Sequence, residues 1–87
     1  MKIYKSELQY GVNEFVYTEM IPLSVDLQNG RPCLWYQCVD DGKVVNKYAF
    51  QIFLTGEVCD LPKENYVGSF QYQSVIGVYF VGHVFQL

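Results

Sequence analysis

The fold is decided by residues 23–36, LSVDLQNGRPCLWY. Leu23, Val25 and Leu27 alternate with polar residues, a pattern typical of a β-strand with one buried face and one wet face. Asn29-Gly30 follows, and this dipeptide readily takes the positive φ angles that a type I′ turn requires. The stretch therefore predicts a β-hairpin whose second strand carries Trp35.

A second turn signal, Asp41-Gly42, separates the Trp35 strand from residues 44–55. Alternate residues in that run are apolar, which again favours a strand with one buried face. The two turns together predict a three-stranded antiparallel meander. The apolar face of its third strand holds Val44, Tyr48, Phe50, Ile52 and Leu54, and the other face holds Lys43, Lys47 and Gln51.

Shorter elements flank this predicted meander. Residues 3–10 and 14–18 have the alternation or the aromatic and β-branched content of strands, and Pro22 limits how far the second can continue as a central strand. No segment sustains a 3.6-residue apolar period, so we expect residues 55–65 to form a surface loop with one helical turn at 62–65. We predict one mostly β domain spanning residues 1–87, with a small antiparallel sheet folded into a partly closed barrel or a sandwich.

Residues 75–85 differ from the earlier strands because both of their alternating faces are apolar. A strand that is apolar on both sides is buried on both sides. In so small a protein, the second cover must come from a closed barrel or from another subunit. Gly77 and Gly82 interrupt the strand, and such glycines mark a bulge or a close backbone approach. We expect a homo-oligomer whose interface includes Val75, Tyr79, Val81 and Phe85.

The charge pattern limits the classes of partner. The formal net charge is −3, and the six Lys and Arg residues are scattered along the chain. Binding to duplex nucleic acid calls for a basic stripe, so we expect no such partner. The longest apolar run is too short to cross a bilayer as a helix, and the start of the sequence is too polar for a signal peptide. These features predict a cytoplasmic protein with no membrane partner.

The cysteines and the single histidine are the candidates for reactive chemistry. Cys33, Cys38 and Cys59 are an odd number with no disulfide framework, and the first two are five residues apart in one predicted strand. They should therefore point to opposite faces and cannot share a metal ion. His83 is either a ligand contact or base at a pocket wall, or a core or interface histidine with a satisfied ring nitrogen. Nothing near it in the sequence completes a catalytic pair, so we predict no enzyme activity, no metal site and no cofactor.

Several segments of the sequence resemble a family of short phage and prophage proteins that begin with a similar Met-Lys-Ile-Tyr-Lys and end in a similar His-Val-Phe. No activity is assigned to that family, so the resemblance implies a phage context and no catalytic residue. Glu57 follows Gly56 where family members have histidine, and residues 36–40 replace their Ala-Leu-Val-Asp-Pro. The matching segments run in the same order over nearly the whole chain and are Leu23-Ser24-Val25, Gln28-Asn29-Gly30, Pro32-Cys33-Leu34-Trp35, Thr55-Gly56, Tyr66-Val67-Gly68-Ser69-Phe70-Gln71 and His83-Val84-Phe85.

This phage context points to a counter-defence protein, by analogy with other short, aromatic-rich phage proteins. The leading hypothesis is a homo-oligomer in the host cytoplasm that sequesters a small anionic nucleotide-type signal between subunits. Arg31 and Lys47 would bind the phosphates, Trp35, Tyr79 or another aromatic residue would stack on the base, and His83 would add a hydrogen bond. The structural alternatives are a solvated Arg31 beside its turn and a Trp35 that fills the core. The functional alternatives are a protein–protein inhibitor of a host defence complex, as anti-CRISPR proteins are, and a minor phage structural or assembly protein.

Overall fold

The computed structural model describes residues 1–43 and 45–87, and within them two antiparallel β-sheets pack face to face. The prediction of a mostly β fold with one short helical turn is confirmed. Of the two architectures left open, the described residues form the sandwich, and their sheets do not close into a barrel. The elements are β1 (Lys2–Glu7), β2 (Gly11–Tyr17), β3 (Glu19–Gln28), β4 (Arg31–Val39), β5 (Asn46–Leu54), a 3₁₀ turn (Lys63–Asn65), β6 (Tyr66–Gln73) and β7 (Tyr79–Gln86).

The first sheet has three strands in the order β1-β4-β3, and the second has four in the order β2-β5-β7-β6. The hairpin β3–β4 is the one that the sequence predicts, with Gln28 opposite Arg31. Its turn residues Asn29 and Gly30 have φ angles of 53° and 76°, as a type I′ turn requires. Pro22 lies in β3, an edge strand, next to an irregularity in the register. Such a position tolerates proline because the missing N–H costs no ladder hydrogen bond there.

The predicted three-stranded meander is wrong at its third strand. β5 does not pair with β4, because β1 and β3 occupy both edges of β4 while β5 lies between β2 and β7 in the other sheet. Asp41 and Gly42 belong to a crossing between sheets rather than to a hairpin. The Asp41 carboxylate accepts hydrogen bonds from the Lys43 amide at 3.0 Å and from the Thr18 hydroxyl at 2.8 Å, which ties this crossing to the end of β2. Val44, placed by its sequence on the apolar face of β5, lies outside the described residues.

The core lies between the two sheets and is built from the apolar alternation of their inner faces. Its largest fully buried side chains are Tyr36 and Leu34 of β4, Phe50 of β5 and Val84 of β7. The Phe15 ring of β2 lies 5.6 Å from the Tyr36 ring and 5.9 Å from the Phe50 ring, measured between centroids. Aromatic contacts at this spacing add to the stability that burial alone supplies.

The hydroxyl of Tyr36 is the polar atom that this core has to accommodate. It shares hydrogen bonds of 2.8 Å with the Ser6 hydroxyl and of 2.8 Å with the Tyr17 hydroxyl, so burial leaves it paired. Burial and the hydrogen bond to Tyr36 raise the pKa of Tyr17 well above its ordinary value. Tyr17 therefore stays protonated and neutral in this network.

The C-terminal strand is shorter than the sequence suggests. β7 begins at Tyr79, and residues 75–78 form the turn that joins it to β6, with Gly77 at a φ of 84°. The Ser74 amide donates to the Val78 carbonyl at 2.8 Å, and the Gly77 amide donates to the Ser74 carbonyl at 2.9 Å. The valine and isoleucine in this turn have strand propensity, but the glycine geometry and these two hydrogen bonds outweigh it.

Gly82 marks a close approach, one of the two meanings that a glycine inside a strand can have. A Cβ at this position would lie 2.3 Å from Cζ of Phe70, whose ring covers the β7 backbone. The expected burial of β7 on both sides is wrong for the single chain. Gly82 and Val84 face the core and are buried, whereas Tyr79 and Val81 on the other face are exposed. No closed barrel covers that face, since the sheets remain separate in the part of the chain described.

Candidate binding groove and hairpin

The two sheets differ in length at one end of the sandwich. At this end the first sheet stops at the Asn29-Gly30 turn. β5 stops beside Val81 of β7, whose carbonyl accepts a hydrogen bond from the Thr55 amide at 3.1 Å. Beyond that level β6 and β7 continue as a two-stranded hairpin, with Tyr72 opposite Phe80. This overhang makes the molecule long and thin, with extents of 46 × 30 × 16 Å.

A groove of about 570 Å³ lies where the β6–β7 hairpin extends past the end of the first sheet. One wall comes from the first sheet and its turn, and the floor comes from the inner face of the second sheet and the hairpin. Apolar and aromatic side chains make up the floor, whereas polar groups concentrate on the wall. The lining residues are Glu7, Leu8, Gln9, Tyr10, Asn29, Gly30, Arg31, Pro32, Ile52, Leu54, Phe70, Tyr72 and Phe80.

The wall of the groove carries one cation, and a carboxylate accompanies it. Arg31 Nη1 lies 2.8 Å from Glu7 Oε1, with the two side chains 68% and 41% exposed. An ion pair this exposed contributes about 0–1 kcal/mol, because water screens it and both side chains lose entropy. The Arg31 guanidinium can therefore exchange Glu7 for another anion at little cost.

The rim of the groove is fixed by a second polar contact. The Tyr10 hydroxyl donates to Glu57 at 2.5 Å, and the Leu54 amide donates to the same carboxylate at 2.7 Å. These two donors hold the pKa of Glu57 below its ordinary value, and the contact with Glu57 raises the pKa of Tyr10. Glu57 thus closes the turn after β5 and positions Tyr10, a groove residue.

Formal charge is absent from the hairpin. Residues 65–87 contain no Asp, Glu, Lys or Arg. Val75 at the tip is fully exposed, and Ile76 beside it is 82% exposed. A contiguous exposed apolar surface on a small domain marks an interaction site. The predicted interface residues all lie on this hairpin or its continuation, Val75 at the tip and Tyr79, Val81 and Phe85 on the outer face of β7.

His83 also lies on the outer face of β7, and its ring is satisfied. Its Nε2 lies 2.8 Å from the Thr55 hydroxyl, within hydrogen-bonding distance. Aromatic rings continue this face, with the Phe85 ring 5.7 Å from Phe53 and 5.4 Å from Tyr66 between centroids. The outer face of the second sheet around His83 therefore carries aromatic rings beside uncharged polar residues, Thr55 and Ser69.

The five predicted ligand residues do not meet in one pocket of a single chain. Arg31 lines the groove. Trp35 lies half-buried on the outer face of the first sheet, in a shallow depression shared with Ile3 and Leu23, so it does not fill the core. Lys47 pairs with Glu14 at 3.1 Å on β2. The strand register separates Lys47 from Tyr79 by about 33 Å along the second sheet.

The sequence missed three aromatic residues that line the groove, Tyr10, Tyr72 and Phe80. Alternation placed Tyr72 on one face of β6 and Phe80 on one face of β7, which the register confirms. Nothing in that alternation shows which of these positions the opposite sheet covers. The feature that comes closest to predicting the groove is the position of the turns, because the β6–β7 hairpin extends beyond the level of the Asn29-Gly30 turn.

The remaining features of the described residues bear on metal binding, thiol reactivity and membrane crossing. Within 1–43 and 45–87 no three His, Cys, Asp or Glu side chains are grouped so that they could hold a metal ion. Cys33 and Cys38 are buried and Cys59 is half-buried, all as free thiols, and burial raises the pKa of the Cys38 thiol. Among the same residues no helix has the length and apolar character needed to cross a membrane.

Comparison with known proteins gives a family but no activity. A search of curated proteins and a search of solved structures each found no match. The family profile of a domain of unknown function, DUF7352, matches residues 1–87. Since this match extends over the whole sequence, the chain belongs to the DUF7352 family.

Proposed function

We propose that this domain is a non-catalytic binding protein that acts as a homo-oligomer. The observation that supports this most strongly is the uncharged hairpin, whose tip exposes Val75 and Ile76 to water. Leaving such a surface uncovered is unfavourable, and protein contacts are the usual cover for it. Because the chain has a net charge of −3 and residues 65–87 contain no charged side chain, two copies that approach through the hairpin meet least repulsion.

The groove supports a ligand class for this oligomer, a small anionic molecule with an aromatic base, such as a nucleotide signal. Its volume lies within the range of small-molecule sites. Arg31 offers a guanidinium that suits a phosphate, and the Tyr72 and Phe80 rings offer surfaces for stacking, worth about 1–3 kcal/mol per base. Trp35, Lys47, Tyr79 and His83 would contribute to such a site only from a neighbouring subunit.

The resemblance to short phage and prophage proteins suggests a biological setting for such binding. In that setting the protein would act in the host cytoplasm as a counter-defence factor that sequesters a nucleotide signal. A protein–protein inhibitor of a host defence complex is the second candidate, and the exposed apolar tip is the observation that favours it. A minor structural or assembly role in the phage particle would use the same surface.

Native mass spectrometry tests the proposal. The purified protein is measured before and after incubation with a panel of cyclic and linear nucleotides. Oligomers that gain the mass of a nucleotide would support sequestration, and monomers at all concentrations would contradict the homo-oligomer. Oligomers that gain nothing would favour the inhibitor, for which a pull-down from host lysate is the next step.

A matched pair of substitutions then locates any bound ligand. Arg31→Ala and Lys47→Ala each remove a cation that is about two-thirds exposed and paired with one carboxylate, but only Arg31 lines the groove. We expect Arg31→Ala to weaken nucleotide binding at least tenfold, in line with the loss of a charge-assisted hydrogen bond, and Lys47→Ala to leave it unchanged. Equal losses in both variants would place the ligand outside the groove.

A further inference from the structure

We infer that a second copy of this chain occupies the groove, with the tip of each β6–β7 hairpin inserted into the groove of the other copy in a symmetric dimer. This inference rests on the proposed homo-oligomer and specifies its contact. The partner's tip would cover the Tyr72 and Phe80 rings, so this dimer and a nucleotide stacked on those rings exclude each other. The inference assigns the tip residues Val75 and Ile76 to the partner's groove, and it makes the inner face of the hairpin, with Tyr72 and Phe80, the centre of the interface.

The first observation is that the overhang lacks the support that a stable hairpin needs. Beyond Val81 no third strand of the described residues pairs with the hairpin, and Tyr72 and Phe80 on its inner face are each 39% exposed. A two-stranded hairpin is marginally stable in water, whereas packing against another layer stabilises it. The Tyr72 and Phe80 rings lie 6.1 Å apart on the inner face, tilted by 30° to each other, where a second layer would cover both.

The second observation is the size of the surface. The chain exposes 5721 Å², whereas a compact monomer of 10.1 kDa is expected to expose about 5300 Å². Its radius of gyration is 13.6 Å, against about 12 Å for a compact chain of this length. Both values describe a chain less compact than a globular monomer of this size.

The third observation is that groove and tip complement each other. The floor of the groove is apolar, the tip is apolar, and both exist because the same hairpin extends past the first sheet. In a two-fold arrangement each hairpin would take the place of the layer that its partner lacks, at the usual spacing of about 10 Å between packed sheets. No formal charge on residues 65–87 opposes this contact.

The area available suits a dimer of modest size. A standard interface buries about 800 Å² on each partner. The surface of the whole chain in excess of a compact monomer is about 400 Å², about half of that area. We therefore expect dimerisation to depend on concentration within the range that sedimentation can sample.

The first experiment is sedimentation velocity of the full chain and two matched variants. Ile76→Asp and Val58→Asp each place a carboxylate at a position that is 82% or 81% exposed in the monomer. Aspartate suits the turn at 76, so both variants should fold, which circular dichroism and urea unfolding verify. We expect Ile76→Asp to weaken dimerisation about a thousandfold, because each dimer loses two buried isoleucine side chains, and Val58→Asp to dimerise like the unmodified chain.

The second experiment identifies what the tip contacts. A photo-reactive benzoylphenylalanine at position 75 should cross-link to the partner's groove, at or near Leu8, Tyr10 and Pro32, and the same probe at position 58 should give no dimer band. Cross-links that map to the outer face of β7, around Phe53 and Phe85, would overturn the groove as the site while leaving a dimer.

The outcomes separate this inference from the proposed function. An unmodified chain that stays monomeric refutes both. An unmodified chain that dimerises while Ile76→Asp dimerises equally well refutes only the tip-in-groove contact. Dimerisation that Ile76→Asp abolishes and Val58→Asp preserves, together with cross-links in the groove, supports the inference.

Discussion

Gly82→Ala tests the contact that fixes β7 against β6. A Cβ at position 82 would lie 2.3 Å from Cζ, 2.6 Å from Cε1 and 2.8 Å from Cε2 of Phe70, and real Cβ atoms do not come closer than 3.0 Å. The ring would have to move by about 1 Å inside a close-packed core. Overpacking of this kind costs about 1–3 kcal/mol, and three clashing ring atoms favour the upper value.

A loss of about 3 kcal/mol is large for a domain of 87 residues, whose total stability is expected to be about 4–13 kcal/mol. It corresponds to a fall of about 12–24 °C in melting temperature. Equilibrium unfolding in urea, followed by Trp35 fluorescence and circular dichroism, measures the loss directly. Gly68→Ala is the matched control, since its Cβ would meet Val25 Cβ at 3.2 Å, and we expect its cost to stay below about 1 kcal/mol.

Phe70→Leu provides the rescue, because a shorter side chain frees the space above Gly82. In that background the cost of Gly82→Ala should fall by at least about 1 kcal/mol, measured as the coupling in a double-mutant cycle. Gly82→Ala with the urea midpoint of the unmodified chain, or a cycle without coupling, would refute the close approach of the ring to the β7 backbone.

Three further predictions concern polar contacts. Tyr36→Phe should destabilise the domain by about 1–2 kcal/mol, since the Ser6 and Tyr17 hydroxyls lose their shared partner; an unchanged urea midpoint would contradict the network. Tyr10 and the Leu54 amide hold the pKa of Glu57 below its ordinary 4.5. As the pH falls, the Glu57 carboxylate is therefore protonated in the unfolded chain before it is protonated in the folded chain. The stability that this contact contributes is present above pH 4.5 and is lost as the pH falls through the folded-state pKa. Glu57→Gln should make that acid decline in unfolding free energy shallower, and an identical pH profile would count against the contact. Arg31→Ala should change the unfolding free energy by no more than about 0.5 kcal/mol, because its pair with Glu7 is exposed; a larger loss in urea unfolding would mean that the pair is structural.

Local turn chemistry made part of the fold predictable. Asn29-Gly30 strongly favours a type I′ turn, and the structure has this turn. The helical turn also lies where Pro62 introduces it. The pairing of β5 was not predictable from its own residues, since an alternating strand fits beside any strand that has a free edge. Residues 75–78 were predicted to be part of a strand because three of their four side chains are β-branched. They form a turn instead, since Gly77 adopts a positive φ angle.

The sequence predicted one residue of the groove, Arg31, but neither its aromatic residues nor the arrangement of the groove. Arg31 does line the groove, and His83 has the satisfied ring that one reading of the sequence expected. The groove itself arises from the difference in length between two sheets, which depends on how all seven strands of the described chain align. Tyr10, Tyr72 and Phe80 have the same sequence signature as tyrosines and phenylalanines elsewhere in strands, so no local pattern singles them out.

The position of β7 has a consequence for how the domain forms on the ribosome. β7 follows the other six strands in the sequence, yet it lies between β5 and β6 in the middle of the second sheet. Until its residues leave the exit tunnel, β6 has no neighbour in its sheet, and β5 has β2 alone. Folding is then expected to wait for β7 and to be slow, as in other small β domains dominated by pairings distant in sequence. A chain cut before Tyr79 would lose the strand that joins the two halves of its sheet, so a partly synthesised or trimmed product would expose open strand edges to chaperones and proteases.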